Sequence, residues 1–85
     1  MNMNYDEIWG IPFQRVSEYF SLQDDVKKTN NCCFRYKDSA IKLEKMQDRQ
    51  NHSMIIAQTR VKITGSTDAD EIHHRFYMRF LSAGG

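Results

Sequence analysis

The stretch that decides the fold is residues 53–65, SMIIAQTRVKITG. Apolar or small side chains occupy the odd positions from 55 to 63, whereas polar and basic ones occupy the even positions from 58 to 64. This period of two predicts a β-strand over residues 54–64 with one buried and one exposed face. The stretch therefore separates a core side of the molecule from a side that is presented to solvent or to a partner.

Two shorter strands are expected before it, over residues 32–37 and 40–47. Their inward positions carry apolar side chains, namely Phe34, Tyr36, Ile41 and Leu43. A turn at 37–39 and a polar connection at 48–53 separate the strands. Because both links are short, the three strands are predicted to form an antiparallel meander.

Helical patterns flank the meander. Phe13, Val16 and Phe20 repeat at helical spacing after a proline that suits the first helical turn, so a helix is expected from residue 12 to about 23. A polar loop follows, up to the first strand. Ser66 or Thr67 can cap a second helix that runs to about residue 82. Its apolar stripe consists of Ala69, Ile72, Phe76 and Phe80.

The order α-β-β-β-α predicts an α+β fold in which a three-stranded antiparallel meander carries both helices on one face. With 85 residues the chain is long enough for one domain. That domain is expected over residues 10–85, preceded by an N-terminal arm over residues 1–9. Tyr5 and Trp9 of the arm either cover the core or act as interface anchors.

Charge is concentrated in the middle of the chain, where residues 27–62 hold nine of the twelve Lys and Arg residues. The open sheet face is therefore the predicted partner-binding site, and its candidate residues are Arg35, Lys37, Lys42, Arg60 and Lys62. A protein partner or a second copy of the chain is the main expectation. Nucleic-acid binding through the same cations is the alternative, although no aromatic side chain is expected there for base stacking.

The element order resembles that of double-stranded RNA-binding domains. The resemblance also includes two short sequence features. One is Ile11-Pro12 followed by Ser17-Glu18-Tyr19, and the other is Gly65 followed by a helix. That family presents phosphate-clamping lysines at the start of its second helix, where this chain carries Asp68, Asp70 and Glu71. The resemblance therefore implies a shared architecture without the RNA clamp.

Catalytic and cofactor signals are weak in this sequence. It has no glycine-rich phosphate loop or cofactor fingerprint, so a non-enzymatic protein without cofactor or metal is expected. Cys32 and Cys33 are adjacent and are interpreted as reduced structural thiols, with Cys32 the more buried. His73 and His74 diverge by about 100° on a helix and cannot chelate one ion together.

Two further expectations concern the location and the end of the chain. No apolar run approaches the length of a membrane span, and the acidic start lacks a secretory pattern, so the cytoplasm is expected. Gly84-Gly85 resembles the tail of ubiquitin-like modifiers and sulfur carriers, which leaves that function as a minor alternative. The main expectation is a small binding or regulatory protein.

Overall fold

A computed structural model describes residues 3–83, with side-chain surroundings for residues 4–80. Its elements are β1 (Met3–Trp9), α1 (Phe13–Ser21), β2 (Val26–Asn30), β3 (Cys33–Tyr36), β4 (Ser39–Asn51), β5 (Met54–Gly65) and α2 (Thr67–Ala83). The strands form one antiparallel sheet in the order β1-β5-β4-β3-β2. Neither helix in this part of the chain is long and apolar enough to cross a membrane.

The α+β class is confirmed, and the three predicted strands form an antiparallel meander as β3, β4 and β5. The prediction of a three-stranded sheet is wrong, because the sheet has two additional edge strands. β1 takes up residues 3–9 of the expected arm and pairs with β5 from Met3↔Gly65 to Trp9↔Thr59. β2 replaces part of the expected polar loop and pairs with β3. The order is therefore β-α-β-β-β-β-α, and the order shared with double-stranded RNA-binding domains does not hold.

Both edge strands lack the pattern that would have identified them in the sequence. In β1, Glu7 shares the buried face with Tyr5 and Trp9, whereas Ile8 lies on the open face and is 54% exposed. Polar and apolar residues are thus exchanged at positions 7 and 8, although residues 4–6 and Trp9 keep the usual alternation. In β2 only Val26 is buried, and the rest of the strand is polar and exposed. Backbone pairing with a neighbouring strand makes these segments strands, and in β1 the partly buried Tyr5 and Trp9 add contacts with the core.

The β4–β5 hairpin is longer than the sequence predicted. The expected connection at 48–53 is reduced to a two-residue turn at His52 and Ser53, and residues 48–51 continue β4. A β-bulge between Met46 and Arg49 shifts the pairing register. β1 pairs with β5 only as far as Thr59, and β3 pairs with β4 only as far as Lys42. Residues 46–58 therefore form a two-stranded ribbon without strand neighbours.

The core lies between the helices and the inner face of the sheet. α1 contacts β2, β4 and β5, and α2 contacts β1, β3, β4 and β5, so the helices pack across five strands rather than the three expected. Phe20 of α1 packs against Phe34 of β3 and Phe76 of α2, with ring centroids 5.7 and 5.4 Å away. The rest of the buried apolar set is Val16, Val26, Tyr36, Ile41, Leu43, Val61, Ile63, Ala69, Ile72 and Phe80.

The helices begin where the sequence predicts. Pro12 precedes α1, and its carbonyl accepts hydrogen bonds from the amides of Arg15 and Val16. Asp68 and Asp70 lie in the first turn of α2, where carboxylates interact favourably with the helix dipole. α2 continues to Ala83, and residues 84–85, the basis of the modifier alternative, lie outside the described residues.

Candidate functional site

The outer face is the side of the sheet opposite the helices, and the strand register arranges its side chains in rows. One row is Asp6, Lys62, Lys42, Cys33 and Asn30, and the next is Asn4, Thr64, Ala40, Arg35 and Lys27. A third row contains Ile8, Arg60 and Glu44. The structure thus brings four of the five predicted open-face residues onto one surface.

Arg60 is engaged by carboxylates on this face. Its Nε and Nη2 donate to Oδ1 and Oδ2 of Asp6 at 2.8 and 2.7 Å, and Glu44 lies directly opposite on β4. The hydrogen bond from Arg60 lowers the pKa of Asp6, and the same contact raises the pKa of Arg60. Arg60 therefore links β1 to β5 and contributes little free positive charge.

Lys42 and Lys62 lie directly opposite each other on β4 and β5. Neither has a carboxylate within 4 Å among the ion pairs of the described residues. Like charges at directly opposed positions destabilise a sheet, and Asp6, which lies opposite Lys62 on β1, offsets this repulsion on one side only. Both lysines are on interior strands, so protection of a sheet edge does not explain them. A negatively charged ligand at this position would remove the repulsion.

These lysines line a shallow cavity of about 450 Å³, which we call the basic dish. It is lined by Thr29, Cys33, Phe34, Arg35, Ala40, Ile41, Lys42, Lys62 and Thr64. The set contains three cations and two hydroxyls and no carboxylate. The small side chain of Ala40 lies between Arg35 and Thr64 in the strand register, which leaves space between the longer side chains.

The distal half of the outer face carries apolar side chains next to Arg49 and Gln58. Ile8, Met46, Met54 and Ile56 share this face, and we call them the apolar zone. Ile8 and Met54 are 54% and 64% exposed. Gly10 adjoins the zone, because a Cβ at this glycine would lie 3.3 Å from Cγ2 of Ile56. The row of Arg60 and Glu44 separates Met46, Met54 and Ile56 from the basic dish, and the zone extends onto the ribbon.

The fifth predicted open-face residue, Lys37, does not lie on the outer face. It occupies the β3–β4 turn with φ of 53°. Its Nζ lies 3.4 Å from Oε1 of Glu71 on α2 and 5.2 Å from the ring centroid of Tyr36. The contact with Tyr36 and then that with Glu71 raise the pKa of Lys37. The turn rotates this side chain toward the helix layer, which the parity of the strand could not indicate.

The expected anchors Tyr5 and Trp9 are used in the domain's own fold. Tyr5 stacks on His73 with ring centroids 3.8 Å apart, and its hydroxyl donates to Oδ1 of Asp70. That hydrogen bond raises the pKa of Tyr5. Trp9 packs edge-on against Phe76 with centroids 4.9 Å apart. Both aromatic side chains therefore hold β1 against α2.

A second network in the same layer is centred on Glu7. Its Oε1 accepts a hydrogen bond from Nε1 of Trp9 at 3.1 Å and lies 2.8 Å from Nε2 of His73. His73 is 14% exposed at its side chain, whereas His74 is exposed. The side chain of Glu7 is 40% exposed on the helix side of the sheet, and two ring nitrogens meet its carboxylate there.

The two cysteines are free thiols with Sγ atoms 3.9 Å apart. Cys32 lies in the β2–β3 turn, where its amide donates to Oδ1 of Asn30. Both cysteines are half-buried, so the expected greater burial of Cys32 is not observed. The contact with Cys33, followed by burial, raises the pKa of Cys32. Within residues 3–83 no group of three or more His, Cys, Asp or Glu side chains is placed to hold a metal ion.

A larger groove of about 820 Å³ lies between the helices. It is lined by Arg15, Glu18, Tyr19, Leu22, Gln23, Arg75, Met78, Arg79 and Phe80. Glu18 places a carboxylate in this groove, and Arg75 is already bound to Asp25 through two hydrogen bonds of 2.9 and 3.1 Å. The basic dish is therefore the better candidate site for a negatively charged ligand.

No protein-family model matches the chain, and no curated protein is significantly similar to it. The candidate site therefore rests on its own geometry. Sequence reasoning found its cations but missed Thr29, Ala40 and Thr64, which complete the basic dish. Alternation along one strand predicts which face of the sheet each side chain lies on. It does not predict which residues of other strands lie next to it, because that depends on the cross-strand register.

Proposed function

We propose that the protein is a small non-enzymatic binding protein that acts through protein–protein contacts made by its outer face. The observation that carries the proposal is that the apolar zone and the basic dish share the face opposite the helices. Protein interfaces combine a desolvated apolar centre with a polar rim. A partner with an acidic and partly apolar surface fits this face, in the cytoplasm as the sequence suggests.

The ribbon supports the same proposal. A two-stranded hairpin is only marginally stable in water by itself, and residues 46–58 have no flanking strands. Met54 is 64% exposed on the outer side of the ribbon, and Ile55 is 71% exposed on its other side. Covering these side chains would remove apolar surface from water. A second copy of the chain could do this as well, which is the homodimeric form of the proposal.

Association should depend on the apolar zone. We expect wild-type protein to self-associate in sedimentation velocity or to co-purify with a partner, and Ile8→Ser/Ile56→Ser to lose that association. Leu22→Ser is the matched control, because Leu22 is 72% exposed on the helix side. A monomeric wild type that retains no partner would overturn the proposal, as would association that the double variant leaves unchanged.

Nucleic-acid binding is the second candidate, favoured by the unpaired lysines Lys42 and Lys62 on interior strands. Such binding would weaken steeply with rising salt, because each neutralised phosphate releases counterions. Lys42→Gln/Lys62→Gln should flatten the salt dependence of oligouridylate affinity by about two phosphate contacts. Arg60 is a poor test position, since Asp6 already holds its guanidinium. An absence of oligouridylate binding at low salt would exclude this candidate.

A further inference from the structure

We propose that the basic dish is a phosphate-binding site that receives a phosphorylated side chain of the partner protein. The inference rests on the proposed function and names the chemistry of the partner segment. A phosphorylated side chain carries a charge of about −1.5 to −2 and three strong acceptor oxygens. The cations, the hydroxyls and the lack of a carboxylate in the dish match these requirements.

The register lets the three cations meet at one anion. Opposed residues such as Lys42 and Lys62 have Cβ atoms about 5 Å apart, and diagonal neighbours such as Arg35 and Lys42 lie about 7–8 Å apart. Long side chains can converge over such distances. The guanidinium of Arg35 can supply two parallel donors to phosphate oxygens, while each ammonium acts as a point charge. Ala40 between them leaves the central space.

The dish also accounts for an arrangement that the fold alone does not require. Two lysines opposite each other on interior strands cost stability when nothing lies between them. Lys27 and Lys28 lie on the edge strand β2, where lysines hinder pairing of the exposed edge with another chain. This reason does not apply to Lys42 and Lys62, which lie on interior strands. A bound dianion between the two ammonium groups would convert their repulsion into two favourable contacts.

The surroundings favour a single phosphate over a nucleic-acid backbone. Asp6 bounds the cationic area on the β1 side of Lys62, and Glu44 bounds it in the next row toward the ribbon. A chain of phosphates running along the strands would meet these carboxylates. Among the described residues, the outer-face rows hold no aromatic side chain on which a base could stack. The apolar zone fits side chains that flank a phosphorylated residue.

The experiment compares three probes on the full chain at constant ionic strength. They are inorganic phosphate, a degenerate peptide pool with a central phosphoserine together with its serine counterpart, and an oligouridylate. Inorganic phosphate should produce saturable NMR shifts at Arg35, Ala40 and Thr64 in the millimolar range. The phosphoserine pool should bind at least tenfold more tightly than the serine pool and the oligouridylate.

Two variants address the dish in different ways. Ala40→Leu fills the exposed centre without changing charge, and Lys42→Gln removes one cation; each should weaken phosphoserine binding by about five- to tenfold. Lys45→Gln removes an exposed cation that lies on the same strand outside the dish. It should change the affinity for the phosphoserine pool less than twofold. If Ala40→Leu does not fold, the comparison of Lys42→Gln with Lys45→Gln shows whether phosphoserine binding depends on the dish.

The inference is overturned if phosphate produces no saturable shifts at the dish, or if the serine pool or the oligouridylate binds as tightly as the phosphoserine pool. Equal losses in Lys42→Gln and Lys45→Gln would also overturn it. The proposed function fails separately, because association that depends on Ile8 and Ile56 can persist without phosphate binding. Conversely, phosphate can bind in the dish of a protein that makes no contact through the apolar zone.

Discussion

At the residue scale, Gly65 at the end of β5 lies very close to Ser39 at the start of β4. A Cβ placed on Gly65 would overlap Oγ of Ser39 and lie 2.9 Å from its Cβ. Ser39 is fully buried, and its Oγ has no hydrogen-bond partner in the described part of the protein. Gly65 is therefore required by the close approach of β4, which positions the end of β5 before α2 begins.

We predict that Gly65→Ala lowers the free energy of unfolding by about 1–3 kcal/mol, as overpacked core substitutions do. In a Ser39→Gly background the same substitution should cost less, because the overlapping side chain is gone. Chemical denaturation of the four variants of this cycle measures the difference. Equal costs of Gly65→Ala in both backgrounds would show that the contact with Ser39 is not the cause.

The residue scale also shows where sequence reasoning succeeds and fails. The inward positions Val61 and Ile63 follow from alternation alone and are buried. Ile55 has the same parity but is 71% exposed, because the helices do not reach the ribbon. Alternation reports which side a residue faces, whereas its burial depends on what covers that side.

At the element scale, β1 is attached to the domain by more than its pairing with β5. Tyr5, Glu7 and Trp9 all contact α2 or each other on the inner face, and Asp6 binds Arg60 on the outer face. The strand thus closes the β5 side of the sheet and limits the outer face at the same time. Loosening β1 should expose the edge of β5.

We predict that Glu7→Ala weakens the attachment of β1, because it removes the acceptor shared by Trp9 and His73. The expected loss is about 1–2 kcal/mol, together with faster amide hydrogen exchange throughout β1. Asn4→Ala is the control, since Asn4 is exposed on the same strand. Unchanged exchange in β1 of Glu7→Ala would contradict the role of this carboxylate.

At the scale of the whole molecule, two bidentate ion pairs connect parts of the chain that are distant in sequence. Arg60 joins Asp6 across β5 and β1, and Arg75 joins Asp25, at the entry to β2, to α2. The hydrogen bonds from the arginines lower the pKa of both carboxyls. A carboxyl with a lowered pKa stabilises the folded state above the pKa it has when unfolded.

We therefore predict that stability is lost below about pH 4, as these carboxyls become protonated in the folded protein. Asp25→Asn should lower the melting temperature at pH 6 by only a small amount, because the ion pair of Arg75 with Asp25 is largely exposed. The melting temperature of this variant should also fall less than that of wild type between pH 6 and pH 2.5. Asp24→Asn, which removes a neighbouring exposed carboxylate, should leave the decline nearly unchanged. Identical pH profiles of Asp25→Asn and wild type would contradict the prediction.

The sequence by itself determined the α+β class, both helices, the inward residues of β3, β4 and β5 and the cations of the candidate face, because these depend on local periodicity and capping. Only the tertiary structure decided that β1 and β2 are strands, that Lys37 turns toward α2 and that Arg60 is bound to Asp6. It also joined Arg35, Lys42 and Lys62 around Ala40 in the basic dish. These features depend on contacts between different segments of the chain, which the periodicity of one segment does not report.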